Sequence, residues 1–275
     1  MQVKLPEAID LSHPEKYILT IRIHPQMYSF SLYNPVENGS YFYHTVVGDK
    51  QLSSFQNFRE MYFDNEFLSL PFRKIFILNY NSSFTFIPSI LFNDKDKSNY
   101  MEFLSPKTEQ TLLSEPLSQL GFTIVHGIEE EAYEFMFRTF ISAKYIHYTA
   151  PLITYFKSRI QLVNAGRMIV NLDKTGVDVI CFSRDSLLST THFDCNDTKD
   201  MEYYILYTWK QMKFDQLKDF IYIAGDNGHR NKLIDVLKEY IHNLIPINIT
   251  PEAHFEGIET RSVPFEQACL SLCEL

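Results

Sequence analysis

The stretch FIYIAGDNGHRNKL, residues 220–233, combines residue types that occur where proteins hold phosphate groups. An apolar run typical of a strand ends at Gly225, a polar turn with Asp226 and Gly228 follows, and an amphipathic segment then begins. A glycine turn between a strand and a helix leaves backbone N–H groups at the helix N-terminus, where anions bind. This stretch is the first candidate for a nucleotide site.

Asp226 argues against phosphate binding in this turn. Its carboxylate would lie close to any bound phosphate, and Coulomb repulsion disfavours that arrangement unless a cation intervenes. The alternative is structural, because Asp226 or Asn227 can cap the helix that follows, while Gly225 permits a tight turn. We favour this structural interpretation.

Motifs for other chemistry are missing from the sequence, which contains no G-x-x-x-x-G-K-[ST], G-x-G-x-x-G, G-x-S-x-G or H-E-x-x-H pattern. A two-metal nuclease site would need converging carboxylates such as Asp173, Asp178 and Asp194. However, Asp178 should lie on the opposite face of its hairpin from Asp173 if Val177 and Val179 point inwards. We therefore predict no metal site and no catalytic residue.

The composition excludes several classes of protein. The chain has 275 residues, 45% of them hydrophobic, which is enough for one large domain or two lobes with a sizeable core. A net charge of −9 disfavours nucleic-acid binding. The sequence shows no signal core and no apolar run long enough to span a membrane, and its four cysteines do not form a disulfide framework. We therefore expect a cytoplasmic protein.

Two stretches of the chain follow one β-β-β-α-β plan. In the first, three strands, a helix and a strand are predicted at 17–24, 27–34, 40–47, 52–62 and 74–79. In the second they are predicted at 168–173, 177–183, 186–194, from a helix cap at Asp197, and at 220–225. The repeats align when Ile23-His24 is placed on Leu172-Asp173. The alternative is that a chain of alternating strands and helices gives such a match by chance.

Further strands and helices follow each repeat. After the second repeat, the sequence predicts a helix over 230–244, a strand over 247–250 and a terminal helix over 265–272. Alternating strands and helices after an opening meander indicate a mixed sheet covered by helices. We therefore predict two lobes, at residues 1–150 and 151–275.

This doubled plan resembles that of the actin-like ATPase superfamily, which includes sugar kinases, heat-shock ATPases and actin-like cell-division and pilus proteins. The whole chain is also similar to a bacterial family of unknown function that is common in Bacteroidetes and for which the same fold is expected. The resemblance implies an α/β protein with an actin-like ATPase fold. It would comprise two ribonuclease H-like lobes, each with a mixed five-stranded sheet flanked by helices.

The resemblance also implies where a nucleotide would bind. In the superfamily an Asp ends the first strand of each lobe, and a turn of small residues wraps the phosphates. In the first lobe the turn reads IRIHPQMYSF, with His24 in the position of the Asp and Pro25, Gln26 and Met27 in place of small residues. Because proline has no N–H and methionine fills space, this half of the site should not bind phosphate.

The second lobe is closer to the superfamily pattern. Asp173 ends the strand in NLDKTGVDV, and a compact polar turn follows, although Lys174 and Thr175 stand where the superfamily frequently has glycine. The stretch at 220–233 resembles the adenosine motif with its paired glycine reduced to one. By this resemblance, the residues that would bind a nucleotide are Asp173, Thr175, Gly176, Gly225, Asp226 and Gly228.

Two functions are compatible with these residues. We favour a degenerate, non-catalytic actin-like module, not an enzyme, that acts through a protein partner as a binding or regulatory scaffold. The rival is a nucleotide-binding ATPase or small-molecule kinase that uses the second-lobe turn and requires ATP with Mg²⁺. A non-nucleotide ligand is a third alternative. No nucleic-acid partner and no membrane span are expected.

Overall fold

The central strand of the first half of the chain is β1 (Ile18–His24), which is buried on both faces. It pairs antiparallel with β2 (Met27–Tyr33) and parallel with β4 (Lys74–Asn79). A strand that is hydrogen-bonded on both edges and covered on both faces requires a nearly continuous apolar run. The run ILTIRIH meets this requirement, with Arg22 buried within it.

The fold is that of a computed structural model, which describes residues 2–7, 9–36, 41–46, 49–102, 104, 110–159, 164–184, 186–248 and 263–273. These residues divide into two compact units. The first unit comprises the described residues within 2–151 and residue 263, and the second comprises those within 152–248 and 264–273. Within the described residues, no helix has the length and apolar character needed to cross a membrane.

The first unit is built on a five-stranded mixed sheet, as predicted, and its strand order is β3-β2-β1-β4-β8. Besides the three strands already given, its elements are β3 (Phe42–Thr45), α1 (Ser54–Asp64), β5 (Phe84–Pro88), α2 (Lys97–Met101), β6 (Gln110–Leu117), β7 (Phe122–Glu129), α3 (Glu130–Thr139) and β8 (Lys144–His147). Side chains of α1 and α3 pack on one face of this sheet and form its hydrophobic core.

Helix α1 begins at a reciprocal cap. The Gln56 N–H donates to Ser53 Oγ at 3.1 Å, and the Ser53 N–H donates to Gln56 Oε1 at 3.0 Å. This capping box satisfies two N–H groups that the helix cannot pair internally. Phe55 and Phe58 then lie one turn apart on the buried face of the helix.

A second sheet in the first unit has three antiparallel strands in the order β5-β7-β6. Its strand β6 was not predicted, because Ser114, Glu115 and Pro116 interrupt its apolar run. Glu115 lies inside the unit, and its Oε2 accepts a 2.7 Å hydrogen bond from the His147 N–H of β8. This bond joins the three-stranded sheet to the five-stranded sheet.

The second unit repeats the five-stranded sheet, in the order β11-β10-β9-β12-β13. Its elements are α4 (Thr149–Arg159, which begins in the first unit), β9 (Gly166–Asp173), β10 (Gly176–Ser183), β11 (Ser186–Asp194), α5 (Thr198–Gln211), β12 (Phe220–Gly225), α6 (Arg230–Leu237), β13 (Asn243–Pro246) and α7 (Phe265–Leu272). The predicted cap of α5 is confirmed, because Asp197 Oδ1 accepts from the N–H groups of Lys199 and Asp200.

The end of this unit differs from the prediction. Helix α6 ends at Leu237 instead of 244, and β13 occupies 243–246 instead of 247–250, of which Ile249 and Thr250 lie outside the described residues. Leu237, Tyr240 and Leu244 continue the helical spacing, but Leu244 pairs with Ile221 of β12. Sheet pairing overrides the local helical pattern here.

We predict that Glu115 makes the stability of the chain fall as the pH rises. Burial raises the pKa of its carboxyl group to about 7, although the hydrogen bond from the His147 N–H acts to lower this pKa. Because the pKa is higher in the folded than in the unfolded chain, ionisation between about pH 4.5 and pH 7 destabilises the fold, by up to about 3 kcal/mol. The substitution Glu115→Gln should remove this component of the pH dependence.

The measurement is urea unfolding of the wild type and of Glu115→Gln between pH 5 and pH 8. The difference in unfolding free energy between the two should grow with pH in favour of the variant. The substitution Glu60→Gln, at an exposed position of α1, is the matched control and should give no such trend. A pH-independent difference for Glu115→Gln would contradict the assignment.

Candidate functional site

Two turns meet at one end of the sheet in the second unit. Residues 174–175 form a two-residue turn between Asp173 and Gly176, which pair across the β9–β10 hairpin. The segment after β12 reaches this hairpin, where Asn227 Nδ2 donates to the Asp173 carbonyl oxygen at 3.2 Å. The structure therefore brings the β9–β10 turn and the turn that starts at Gly225 together, and these turns carry all six residues proposed from the sequence.

The Asp173 carboxylate closes its own turn. Its Oδ1 accepts hydrogen bonds from the Thr175 N–H at 3.3 Å and from Thr175 Oγ1 at 3.2 Å. This is the local pattern by which Asp stabilises a tight turn. Gly176 fits tightly behind it, because a Cβ there would lie 2.0 Å from the Phe193 carbonyl oxygen.

Gly225 makes the approach of the two turns feasible. Its φ of +69° lies in the left-handed region, and a Cβ at this position would lie 2.3 Å from the Leu172 carbonyl oxygen. A side chain is therefore excluded by strain and by contact. Gly228 also has a positive φ, of +86°, but open space surrounds it.

Asp226 and Asn227 stabilise the turn before α6. The Gly228 N–H donates to Asp226 Oδ1 at 2.8 Å, and the His229 N–H donates to Asn227 Oδ1 at 3.1 Å. The structural role proposed for these side chains is present, but as consecutive turn bonds rather than as a helix cap. The residue in the cap position of α6 is His229, which makes no side-chain cap bond.

The corresponding hairpin of the first unit has the same length but a different interior. Pro25 and Gln26 form a two-residue turn between the paired His24 and Met27. The Gln26 N–H donates to His24 Nδ1 at 3.1 Å, and the Pro25 carbonyl oxygen accepts from Ser54 Oγ at 3.1 Å. Because proline has no N–H, the one backbone donor within this turn is directed at the buried imidazole.

Aromatic side chains fill the space behind this turn. The His24 ring lies 4.6 Å from the Tyr80 ring, and the Arg22 guanidinium lies 4.9 Å from the same ring centre. Tyr80 also stacks on Tyr148 at 4.1 Å. Tyr80 follows β4 at the position where Asp226 follows β12, so an aromatic cluster occupies the place of the Gly225 turn.

A buried polar network in the second unit was missed by the sequence analysis. Asp178 is fully buried, and its Oδ1 lies 2.8 Å from His192 Nδ1. Asn171 Nδ2 donates to Asp178 Oδ2 at 3.1 Å, and His192 Nε2 lies 3.2 Å from Oδ1 of the exposed Asp194. Burial lowers the pKa of His192, but the hydrogen bond and charge of Asp178, with Asp194, outweigh it and raise the pKa above its usual value.

The position of Asp178 corrects a prediction. Asp178 pairs with Asn171, and Asn171 lies two residues from Asp173, so all three belong to the same face of the sheet. The expectation that Asp173 and Asp178 lie on opposite faces was wrong, because it did not account for the two-residue turn that sets the register. Two features of the sequence indicate the network: Asp178 stands between two valines in one strand, and the next strand carries His192.

The network links three strands, and its imidazole is held between carboxylates. The two contacts of its ring nitrogens are to carboxylate oxygens, of Asp178 at 2.8 Å and of Asp194 at 3.2 Å. Within the described residues, no group of three or more His, Cys, Asp or Glu side chains could hold a metal ion. The geometry assigns the network to the cohesion of β9, β10 and β11.

Residues 6–244 match the model of the family described as Protein of unknown function (DUF3822). The chain belongs to this family. Among solved structures, this DUF3822 chain is similar to a Bacteroides thetaiotaomicron protein with an actin-like ATPase fold and unknown function. The two share 26% identity and a TM-score of 0.81, over 97% of this chain and 99% of the other.

A second similar structure is the PilM–PilN type IV pilus biogenesis complex, with a TM-score of 0.57 and 12% identity over 94% of this chain and 98% of the other. At this identity the likeness concerns the fold alone. No curated protein matches the DUF3822 chain. The comparisons confirm the actin-like ATPase fold and the resemblance to a bacterial family of unknown function.

We predict that Gly225 contributes much more to stability than Gly228. The substitution Gly225→Ala should cost roughly 2–4 kcal/mol, because the left-handed conformation and the contact with the Leu172 carbonyl oxygen both oppose a Cβ. The substitution Gly228→Ala meets only the conformational cost of roughly 1 kcal/mol. Urea unfolding of the two variants measures the difference, and equal losses would contradict the close approach of the two turns.

Proposed function

We propose that this DUF3822 chain is a degenerate actin-like module without ATPase or kinase activity. It binds a protein partner and serves as a protein-binding or regulatory scaffold. The observation that carries the proposal is the hydrogen bond from the Gln26 N–H to His24 Nδ1. This bond occupies the Gln26 N–H, the backbone donor that a phosphate bound in the first lobe would need. We take the lobes to be residues 1–150 and 151–275.

A phosphate cradle needs several backbone N–H groups that converge on open space. The turn between β1 and β2 has two residues, of which Pro25 has no N–H and Gln26 is bonded to the imidazole. Tyr80 and Arg22 fill the space behind the turn. These features support the view that the first lobe does not bind phosphate.

In the second lobe, the polar groups of the two candidate turns are bonded locally. The Asp173 carboxylate accepts from Thr175, and the Asp226 carboxylate accepts from the Gly228 N–H. Both carboxylates are negative at neutral pH, and together they would repel a phosphate. The lobe therefore supports a structural role for the residues Asp173, Thr175, Gly176, Gly225, Asp226 and Gly228.

Two observations support a protein partner. The PilM–PilN complex contains a chain of similar fold in an assembly of two proteins, so such a fold can serve as a binding module. The first unit also exposes large apolar side chains that a partner could cover, with exposed fractions of 68% for Phe63, 64% for Phe137 and 83% for Ile141.

The four cysteines are all free, which supports a cytoplasmic location.

We predict that nucleotide does not stabilise the protein. A ligand at about 100 times its Kd would raise the unfolding free energy by about 2.7 kcal/mol, a shift in Tm of several degrees for a chain of this size. Thermal unfolding at millimolar MgATP or MgADP should give the same Tm as Mg²⁺ alone.

The rival hypothesis makes the opposite prediction. A concentration-dependent rise in Tm that Asp173→Ala abolishes would establish nucleotide binding at the second-lobe turn and overturn the proposal. The substitution Asp235→Ala, at an exposed position of α6, is the matched control and should leave any such rise intact.

A further inference from the structure

The first unit contains a cavity of about 300 Å³ between the N-terminal residues and the edge of its five-stranded sheet. One wall is Gln2–Lys4, and the other is the whole of β3, Phe42–Thr45. Successive side chains of a strand point to opposite faces of the sheet. A cavity that touches four consecutive strand residues therefore lies along the edge of the strand and not over one face.

The edge of β3 that borders the cavity carries backbone groups that are not paired with any strand of the described residues. Strand β3 is the last in the sheet order, with β2 on its other side. The Val46 N–H donates to the Tyr28 carbonyl oxygen at 2.8 Å, which makes these two a hydrogen-bonded pair. Because bonded and non-bonded pairs alternate in an antiparallel ladder, the N–H and C=O groups of Thr45 and Tyr43 point away from β2.

The opposite wall is held in place and carries a positive charge. The Val3 N–H donates to Asn65 Oδ1 at 2.7 Å, and Asn65 Nδ2 donates to the Met61 carbonyl oxygen of α1 at 2.7 Å. Lys4 lies beside Val3, is exposed, and makes no ion pair with the described residues. The cavity thus combines an open strand edge with a cation.

We propose that β3 is the docking edge for an extended peptide of a partner protein, which pairs with β3 as a sixth strand and places an acidic side chain near Lys4. This inference rests on the proposed function and names the class of partner. In strand addition the backbone bonds supply affinity, and the side chains at alternate positions supply specificity. Here the backbone groups of Thr45 and Tyr43 pair with the peptide, and Lys4 favours a peptide that carries an acidic side chain.

The shortness of β3 favours a peptide over a second copy of the chain. Strand β3 has four residues, of which only Tyr43 and Thr45 present backbone groups to the open edge. Such an edge suits a short linear segment, whereas a stable dimer buries on the order of 1,200 Å² or more. Charge complementarity agrees, because the exposed Lys4 attracts an acidic side chain that is placed beside it.

The experiment selects phage-displayed random dodecapeptides on the full chain, and measures the binding of each enriched peptide by fluorescence anisotropy. Thr45→Pro removes the outward N–H without breaking a bond to β2, since proline is tolerated at such edge positions. Thr45→Val keeps the N–H and is the matched control. Enriched peptides should carry an acidic residue, lose affinity about tenfold for Thr45→Pro, and bind Thr45→Val as they bind the wild type.

The charge is tested in the same assay. Lys4→Glu should weaken binding about threefold or more, and Lys4→Arg should leave it unchanged. Amide hydrogen exchange on the wild type gives a test that does not depend on the folding of a variant. The Tyr43 and Thr45 amides should exchange rapidly in the free protein and become protected by an enriched peptide.

The remaining outcomes overturn the inference. Equal affinity for Thr45→Pro and the wild type would place the peptide elsewhere, and would leave the proposed protein-binding function standing. Amides at Tyr43 and Thr45 that are already protected in the free protein would show that the edge is occupied. A concentration-dependent dimer that Thr45→Pro abolishes would assign the edge to a second copy, and failure to enrich any peptide would exclude the site.

Discussion

Each unit depends on one strand that is hydrogen-bonded on both edges and covered on both faces. In the first unit this strand is β1, between β2 and β4, and in the second it is β9, between β10 and β12. Nearly every side chain of β1 and β9 is buried, so neither strand can be removed or shifted without exposing the sheet. The candidate turns lie where these two strands end.

The two strand ends have the same backbone plan and opposite contents. Both hairpins turn in two residues, between His24 and Met27 and between Asp173 and Gly176. In the first turn, the Gln26 N–H donates to the His24 imidazole, and the His24 ring lies against Tyr80. In the second, the segment that starts at Gly225 contacts the hairpin through Asn227. The backbone plan of the hairpin is therefore the same in both units, while the polar groups of each turn are hydrogen-bonded locally.

The sequence predicted the elements whose apolar pattern and partners agree. Strands β1, β4, β9 and β10 are largely apolar, β2 alternates apolar residues with Ser29 and Ser31, and Asp197 caps helix α5, so local pattern and tertiary pairing point the same way. Strand β6 was missed because Glu115 and Pro116 break its pattern, and the bond from Glu115 to the His147 N–H is invisible in a linear sequence.

The candidate site was predictable in location but not in its bonding. The turn at Gly225 could be located from residue types, and the turn at Asp173 from the resemblance to the actin-like superfamily. However, the pairing of Asp178 with His192, and the donation from Gln26 to His24, depend on a register that two-residue turns set. Register cannot be read from composition, and an error of one residue moves a side chain to the other face.

The central claim is that the turns at the two strand ends are closed to phosphate. A ¹H–¹⁵N NMR titration with MgADP and MgATP observes this directly, through the backbone amides of Gln26 and Thr175, which are bonded to His24 and Asp173. Both resonances should stay unchanged up to millimolar nucleotide. A saturable shift of either amide would contradict the account.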